Sequence, residues 1–467
     1  MRALVTGAVL AALAGQSAQA QIRPDQESFR ALYKELVETN TTLSAGSCTL
    51  AAERLAARMK AAGFADKDLT IFSTPEKPKE GGLVAVYPGT STKAKPILLL
   101  GHIDVVEANR ADWTRDPFTL VEEDGFFWAR GTSDDKAQAA IWTDTLIRYK
   151  QEGFKPKRTI KMALTCGEET TFAFNGADWL AQNRRDLIDA EYALNEGGGG
   201  RVNPDGKRQI LAMQVGEKTV QNFQLETANP GGHSSVPRPD NAIYSLAAGV
   251  ANIGKFEFPV QFNDTTWAFF TRLAPTLPAT VGNAVKALLA NPGDAAANAI
   301  VSADPTLHST LRTTCVATML EAGHAMNALP QRARAVVNCR MFPGSKVADV
   351  QAALAGAIGD PQVKITTIPP VRPLASPPPF SAKIFGPAEK LAAEMFPGVP
   401  MLPTMSTGAT DGIFLEAVGI PTYGVPGIFY EADGGGIHGL NEKMRVKSLY
   451  DGRDYLFRLV KIYANQK

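Results

Sequence analysis

Two apolar runs, "PILLLGHIDVV" (residues 96–106) and "TIKMALTCGEE" (159–169), flank "DKAQAAIWTDTLIRYKQEG" (135–153). The runs read as buried strands. The segment between them repeats its apolar residues at Ala139, Trp142, Leu146 and Tyr149, one face of a helix. Strands alternating with helices of that length predict an α/β layer with a mixed, mostly parallel sheet sandwiched by helices. In such sheets ligands collect beyond the carboxyl ends of the strands, and His102 and Asp104 stand at one of those ends.

A chain of 467 residues exceeds one ordinary core, so two domains are expected. The texture changes near Gly216. "TVQNFQLETANPGGHSS" opens with a strand and leads to a helix near 241–253. Strands at "TTCVATML" and "RAVVNCRMF", a helix near 347–358 and a strand at "VKITTI" follow. That order predicts a small inserted α+β unit over 217–368, with 21–216 and 369–467 forming the main domain. The stiff "PPVRPLASPPPF" (369–380) reads as the return crossing. Residues 255–310 read as mostly helical embellishment, and the chain shows no internal repeat.

Hydrophobic content of 45% with 20% charged residues describes a globular protein rather than a disordered one. A formal charge of +1 without a polybasic run argues against nucleic acid or an anionic membrane as partner. Residues 1–20, "MRALVTGAVLAALAGQSAQA", carry one basic residue, a short apolar stretch and the small-x-small string Ala18-Gln19-Ala20. That pattern predicts a signal peptide, and hence a periplasmic or secreted protein with no membrane attachment after cleavage. Four cysteines are too few for a disulfide scaffold. Cys315 and Cys339 stand in two strand-like runs, where a cross-strand bridge would fit; sequence alone does not decide it.

Three of the five histidines stand in glycine-flanked strings: "GHID" (His102), "GGHSS" (His233) and "GGGIHGLNE" (His438). Acids cluster in "GTSDDK", "CGEET" and "LNEGGGG", each directly after a strand-like run or before a helix. Imidazole and carboxylate donors without thiolates suit zinc, manganese or cobalt in a catalytic site. His102 would ligate through one ring nitrogen, and Asp104, two positions on, would accept the other ring N–H. Asp134 falls at a helix start, where carboxylates are favoured. The adjacent Glu168 and Glu169 repel each other unless a cation or a proton intervenes, so one could ligate while its neighbour shuttles a proton. The chain has no HExxH, G-x-S-x-G or P-loop string.

In order, "GHIDVV", "GTSDDK", "GEE", "NEGG", "GGHSSVP", "N…R…P" and "IHGLNE" resemble the M20 family of metallopeptidases, from about residue 30 to the C-terminus. The family includes carboxypeptidases, dipeptidases and aminoacylases with two co-catalytic metals. The segment near 255–310 and the "NEGG" string look most like its carboxypeptidase S-like branch. The resemblance implies a zinc-exopeptidase-like catalytic domain and an inserted lid or dimerisation domain. It implies two divalent ions, zinc first, with Asp134 bridging them, His102 and Glu196 completing one set, and Glu169 and His438 the other. Glu168 would be the general base and His233 an oxyanion donor, often delivered across a homodimer. Asn327 and Arg340 would hold the substrate's terminal carboxylate, and "STGATDG" (406–412) resembles a loop facing substrate. The expected activity is exopeptidase hydrolysis of a small peptide next to a residue with a free carboxylate. An N-acyl-amino-acid amidohydrolase is the runner-up, and a silent binding protein on the same scaffold a distant third.

Overall fold

The protein's computed structural model describes residues 23–170, 173–371, 373 and 377–466. The expected leader, residues 1–20, lies outside them. Among the described residues a ten-stranded sheet forms the main body. Its centre runs Ile160–Thr165, Ile97–His102, Tyr192–Asn195 and Thr422–Gly424, all parallel. Antiparallel strands Leu69–Thr74 and Lys77–Tyr87 extend one side, and Arg208–Glu217 with Gly199–Val202 the other.

Side-chain alternation divides this sheet's residues between two cores. Ile97, Leu99, Ile160 and Met162 pack with the helices Pro24–Glu38, Cys48–Ala61, Lys136–Gln151, Ala382–Met395 and Val446–Ala464. Leu98, Leu100 and Ala163 face the opposite way, onto Gly176–Asn183 and Gly412–Ala417. Burial on both faces explains why "ILLL" is apolar throughout instead of alternating. Trp142 fixes the crossover helix to its strand by donating its ring N–H to Leu100 O at 2.9 Å. The first two helices, Pro24–Glu38 and Cys48–Ala61, are separate, the second capped by Ser47, whose hydroxyl accepts Leu50 N–H at 3.1 Å.

The second sheet is antiparallel, in the order Thr314–Ala322, Arg332–Met341, Thr219–Ala228, Lys364–Ile368. Helices Ala242–Ile253 and Val347–Ile358 cover one face through Leu246, Leu354, Phe223 and Val337. Cys315 lies opposite Cys339 and is bonded to it. A second disulfide, which sequence reading did not anticipate, joins Cys48 to Cys166 across 118 positions. Within the span expected to form one inserted unit, residues 264–310 behave differently. Their helices build a core of their own around Phe270, Val285, Leu288 and Val301. Asp264–Leu273 packs on the main-body strand Met401–Ser406, where Arg272 donates to Met401 O at 3.3 Å and pairs with Glu389. Among the described residues no helix is long and apolar enough to cross a membrane.

The two sheets meet at Glu217 and Lys218. Lys218 N–H bonds Ser406 O at 3.0 Å. The buried Glu217 carboxylate accepts Thr410 N–H (3.1 Å), Thr410 hydroxyl (2.8 Å) and Gln214 Nε2 (3.1 Å). Burial outweighs those bonds and pushes its carboxyl from 4.5 up to about 7. The folded protein therefore keeps a proton that the unfolded chain has already lost between those values. Stability contributed through Glu217 falls as pH rises across that window, by on the order of 3 kcal/mol. Glu217→Gln should flatten the decline between pH 4.5 and 7 in urea unfolding; an unchanged slope would reject this account.

Candidate metal centre

Three loops at the carboxyl ends of the central strands, and one from the C-terminal region, supply the clustered side chains. His102 closes its strand, fully paired opposite Thr165 and buried. Its Nε2 lies 3.1 Å from Asp134 Oδ1 and 3.8 Å from Glu196 Oε1. Gly101, just before it, leaves room for Asp135, whose carboxylate would stand 3.1 Å from an added Cβ. Asp134 precedes the helix Lys136–Gln151 and joins Asp135 through a cis peptide bond. Its second oxygen, Oδ2, is 3.1 Å from His438 Nε2, which also lies 2.9 Å from Glu169 Oε2. The two imidazoles thus face opposite oxygens of one carboxylate.

The donors fall into two triads sharing Asp134: His102, Asp134 and Glu196, and Asp134, Glu169 and His438, the atoms of each within 4.8 Å of one another. An ion held tetrahedrally at about 2.0–2.2 Å from its ligands separates them by about 3.3–3.6 Å. The observed pairs at 2.9, 3.1 and 3.8 Å bracket that spacing. The chemistry fits as well, since nitrogen and carboxylate oxygen are the donors of catalytic zinc, cobalt and manganese.

Charge crowding shows in the ionisation of the cluster. Burial raises the carboxyls of Glu168, Glu196 and Asp135 well above their usual range, and neighbouring acids add to the shift. His102 is held well above its ordinary value: burial opposes this, but Glu196, Asp104 and Asp134 prevail. Hydrogen bonds to Asp134 and Glu169 lift His438 to about 10. For Asp134 burial works upward, yet the two imidazoles hold it low.

Asp104 stands against the other ring nitrogen of His102: its backbone carbonyl lies 3.1 Å from Nδ1 and its carboxylate 3.5 Å away. The carboxylate also accepts the backbone N–H of Glu169 (3.1 Å) and Glu168 (3.4 Å) and fixes the turn that carries both acids. The Cys48–Cys166 bond ties down the start of the same turn. Asp411 lies buried on its far side, accepting from Asn175 (2.6 Å) and Thr165 (2.9 Å), its carboxyl pushed by burial to about 6. Of the "STGATDG" loop, Ser406 and Thr407 line a cavity of about 610 Å³ beside Asp134 and Glu196, whereas Asp411 points inward.

His233, Asn327 and Arg340 are not in the cluster. His233 is exposed, with Ser235 hydroxyl 2.6 Å from its Nδ1, and Asn327 O accepts Ser234 N–H at 3.0 Å. Arg340 lies in the second sheet between Val220 and Thr314. Among the described residues no hydrogen bond or ion pair links these three side chains to the two triads, and Arg340 has no ion-pair partner. Sequence reading missed the anchoring roles of Asp411 and of the Cys48–Cys166 bond: a lone acid and two distant cysteines carry no local pattern.

Comparison with known proteins agrees with this geometry. The chain is 29% identical over 390 residues to a probable carboxypeptidase S-like 2 of Dictyostelium discoideum, covering 81% of this chain and 74% of that one. It is 28% identical over 400 residues to the N-fatty-acyl-amino acid synthase/hydrolase of Homo sapiens, covering 84% and 78%. Its fold matches the crystal structure of an M20 family metallo-carboxypeptidase from Sulfolobus solfataricus with a TM-score of 0.69 at 19% identity, over 94% of this chain and 99% of that one. The family model for peptidase family M20/M25/M40 matches residues 98–462, a span that contains both triads. The chain belongs to peptidase family M20/M25/M40.

Proposed function

We propose that the protein is a two-ion exopeptidase of the carboxypeptidase or dipeptidase type, cleaving an amide bond next to a residue with a free carboxylate. The observation that carries this reading is the single carboxylate, Asp134, shared by two triads of ligand-type donors. His102, Asp134 and Glu196 would hold one ion, and Asp134, Glu169 and His438 the other, zinc first with cobalt or manganese as substitutes. When bound, the ions supply Lewis-acid polarisation of the scissile carbonyl and make water more acidic. Glu168, in the turn that Asp104 holds, takes the proton from the attacking water on its carboxylate and delivers it to the leaving amine. Burial, with neighbouring acids adding to it, raises its carboxyl above the usual range, which favours holding a proton in transit.

The cavity beside Asp134 and Glu196 would take the group on the acyl side of the bond. The likeness to the human N-fatty-acyl-amino acid synthase/hydrolase favours a second reading, an N-acyl-amino-acid amidohydrolase using the same centre. Arg340, half-buried and without an acid partner, would grip the substrate carboxylate bidentately with help from Asn327. His233 would donate to the developing oxyanion. Its exposure away from the triads is consistent with delivery to a second copy. Among the described residues strand Thr314–Ala322 pairs on one side only, with Arg332–Met341, and it exposes Val316, Met319 and Leu320. That edge would pair with its counterpart in a homodimer.

Separate measurements decide these points. Metal-stripped protein reloaded with zinc, cobalt or manganese should regain activity on a panel of dipeptides, N-acetyl and long-chain N-acyl amino acids, and the preferred class separates the two readings. On the best substrate Glu168→Gln should keep both ions yet lose roughly 10²–10⁴-fold in kcat; a fully active variant rejects its role. Arg340→Ala should raise KM about 10–100-fold for free carboxylates and spare the corresponding esters; equal losses on both would exclude the clamp. Sedimentation should show a dimer that Leu320→Lys dissociates, and a fully active monomer would dismiss the shared-site arrangement.

A further inference from the structure

The string "IHGLNE" ends in Glu442, a residue that neither the triads nor the proton transfer use. It is fully buried and lies four positions beyond His438. Its Oε1 accepts the backbone N–H of Ser133 at 2.7 Å and of Asp134 at 3.1 Å. Its Oε2 accepts Gly131 N–H at 2.9 Å and Arg130 Nη1 at 2.8 Å. A carboxylate offers about four lone-pair sites, and all four are filled. Arg130 then reaches back with Nη2 to the carbonyl of Gly439, the residue after His438, at 2.7 Å.

These bonds close a ring. The Asp134 loop is held through its backbone by Glu442, and the His438 loop through its backbone by Arg130. The two side chains meet at 3.1 Å between Asp134 Oδ2 and His438 Nε2. In the His438 loop, His438 has φ 58° and Asn441 φ 55°, left-handed conformations that are uncommon for residues with side chains. His102, by contrast, is set by a paired strand and by the Asp104 carbonyl, and is linked to Glu442 at one remove, through the shared Asp134.

We propose that Glu442, acting with Arg130, is a positioning residue that sets the distance between Asp134 and His438 and so shapes the ion position of the His438 triad more strongly than the one built on His102. This rests on the two-ion reading above. The informative variant is Glu442→Asp, which keeps the charge but withdraws the carboxylate by one methylene.

The test is calorimetric titration of metal-free protein with cobalt(II), together with the visible absorption of the bound ions. Wild-type protein should take two ions. Glu442→Asp should take one about 10–100-fold more weakly, with an altered spectrum for that ion, and the other, which shares Asp134, with a much smaller loss. Arg130→Lys leaves the backbone bonds of Glu442 in place but loses the fork to Gly439, and should show a smaller loss on the same ion. Wild-type affinities and spectra in both variants would overturn the proposal. So would equal weakening of both ions, which points to a general structural role. If Glu442→Asp fails to fold by circular dichroism, Arg130→Lys alone decides: weakening of one ion supports the proposal, and unchanged or equally weakened ions overturn it. Wild-type protein that binds fewer than two ions would sink the two-ion reading itself, whereas two ions with unchanged variants would sink only the role of Glu442.

Discussion

Acids brought together at the ends of buried strands repel one another, and the remaining architecture of the centre responds to that repulsion. At an effective dielectric constant near 20, two like charges about 4 Å apart cost about 4 kcal/mol. Asp104, Asp134, Asp135, Glu168, Glu169 and Glu196 crowd one region whose nearby imidazoles are His102 and His438. Raised carboxyls and protonated imidazoles are the response of the side chains alone. Two divalent ions would relieve the same stress more completely and release the imidazole nitrogens as ligands, so affinity for cations follows from the electrostatics of the fold.

The two ion positions are built to different standards of rigidity. His102 comes from the middle of a ten-stranded sheet and is buried, with its ring set by a strand partner and a backbone carbonyl. His438 comes from a loop with left-handed backbone, its side chain 56% exposed. In both cases the acids beside the ligands work through backbone amides: Asp104 pins Glu168 and Glu169, and Glu442 pins Ser133 and Asp134. A buried carboxylate costs desolvation, which several N–H bonds offset. Asp104 adds further negative charge near the centre, whereas the charge of Glu442 is paired with Arg130.

Legibility in the sequence followed the range of the physical signal. Period-two and period-3.6 patterns are local, which is why "PILLLGHIDVV", the helix after Asp135 and the four strands of the second sheet could be read directly. The ligand strings were legible because glycines and acids at strand ends are unusual in combination. The antiparallel three-stranded sheet of Val121–Glu123, Phe126–Trp128 and Lys443–Arg445 was not: its strands are three residues long and one lies more than three hundred positions away. Cys48 and Cys166 belong to a helix and a turn, so nothing in either neighbourhood signals the pair. The helices after Asp264 were legible as helices, but their lean onto Met401–Ser406 depends on long-range packing, which leaves no periodic trace.

Charge also explains why the centre and the residues expected to bind substrate occupy different bodies. The main sheet concentrates acids. On the second sheet Arg340 shares a face with Val220 and Thr314, and Lys218, two residues before Val220, leans toward the same region. Lys218 is buried and, among the described residues, donates to the hydroxyls of Ser309 (3.3 Å) and Thr314 (3.4 Å); burial together with Arg340 and Arg312 pushes its amine down to about 7. Cations without an acid partner are costly to keep out of water unless an anion arrives to compensate them. A molecule with a carbonyl to be polarised at one end and a carboxylate at the other answers both imbalances at once. The acid-rich centre would draw in cations that act on the carbonyl, and the acid-poor sheet would draw in the carboxylate. With the two on separate bodies Arg340 is kept from the acids around Asp134, so the group expected to bind substrate and the groups expected to bind ions do not neutralise each other.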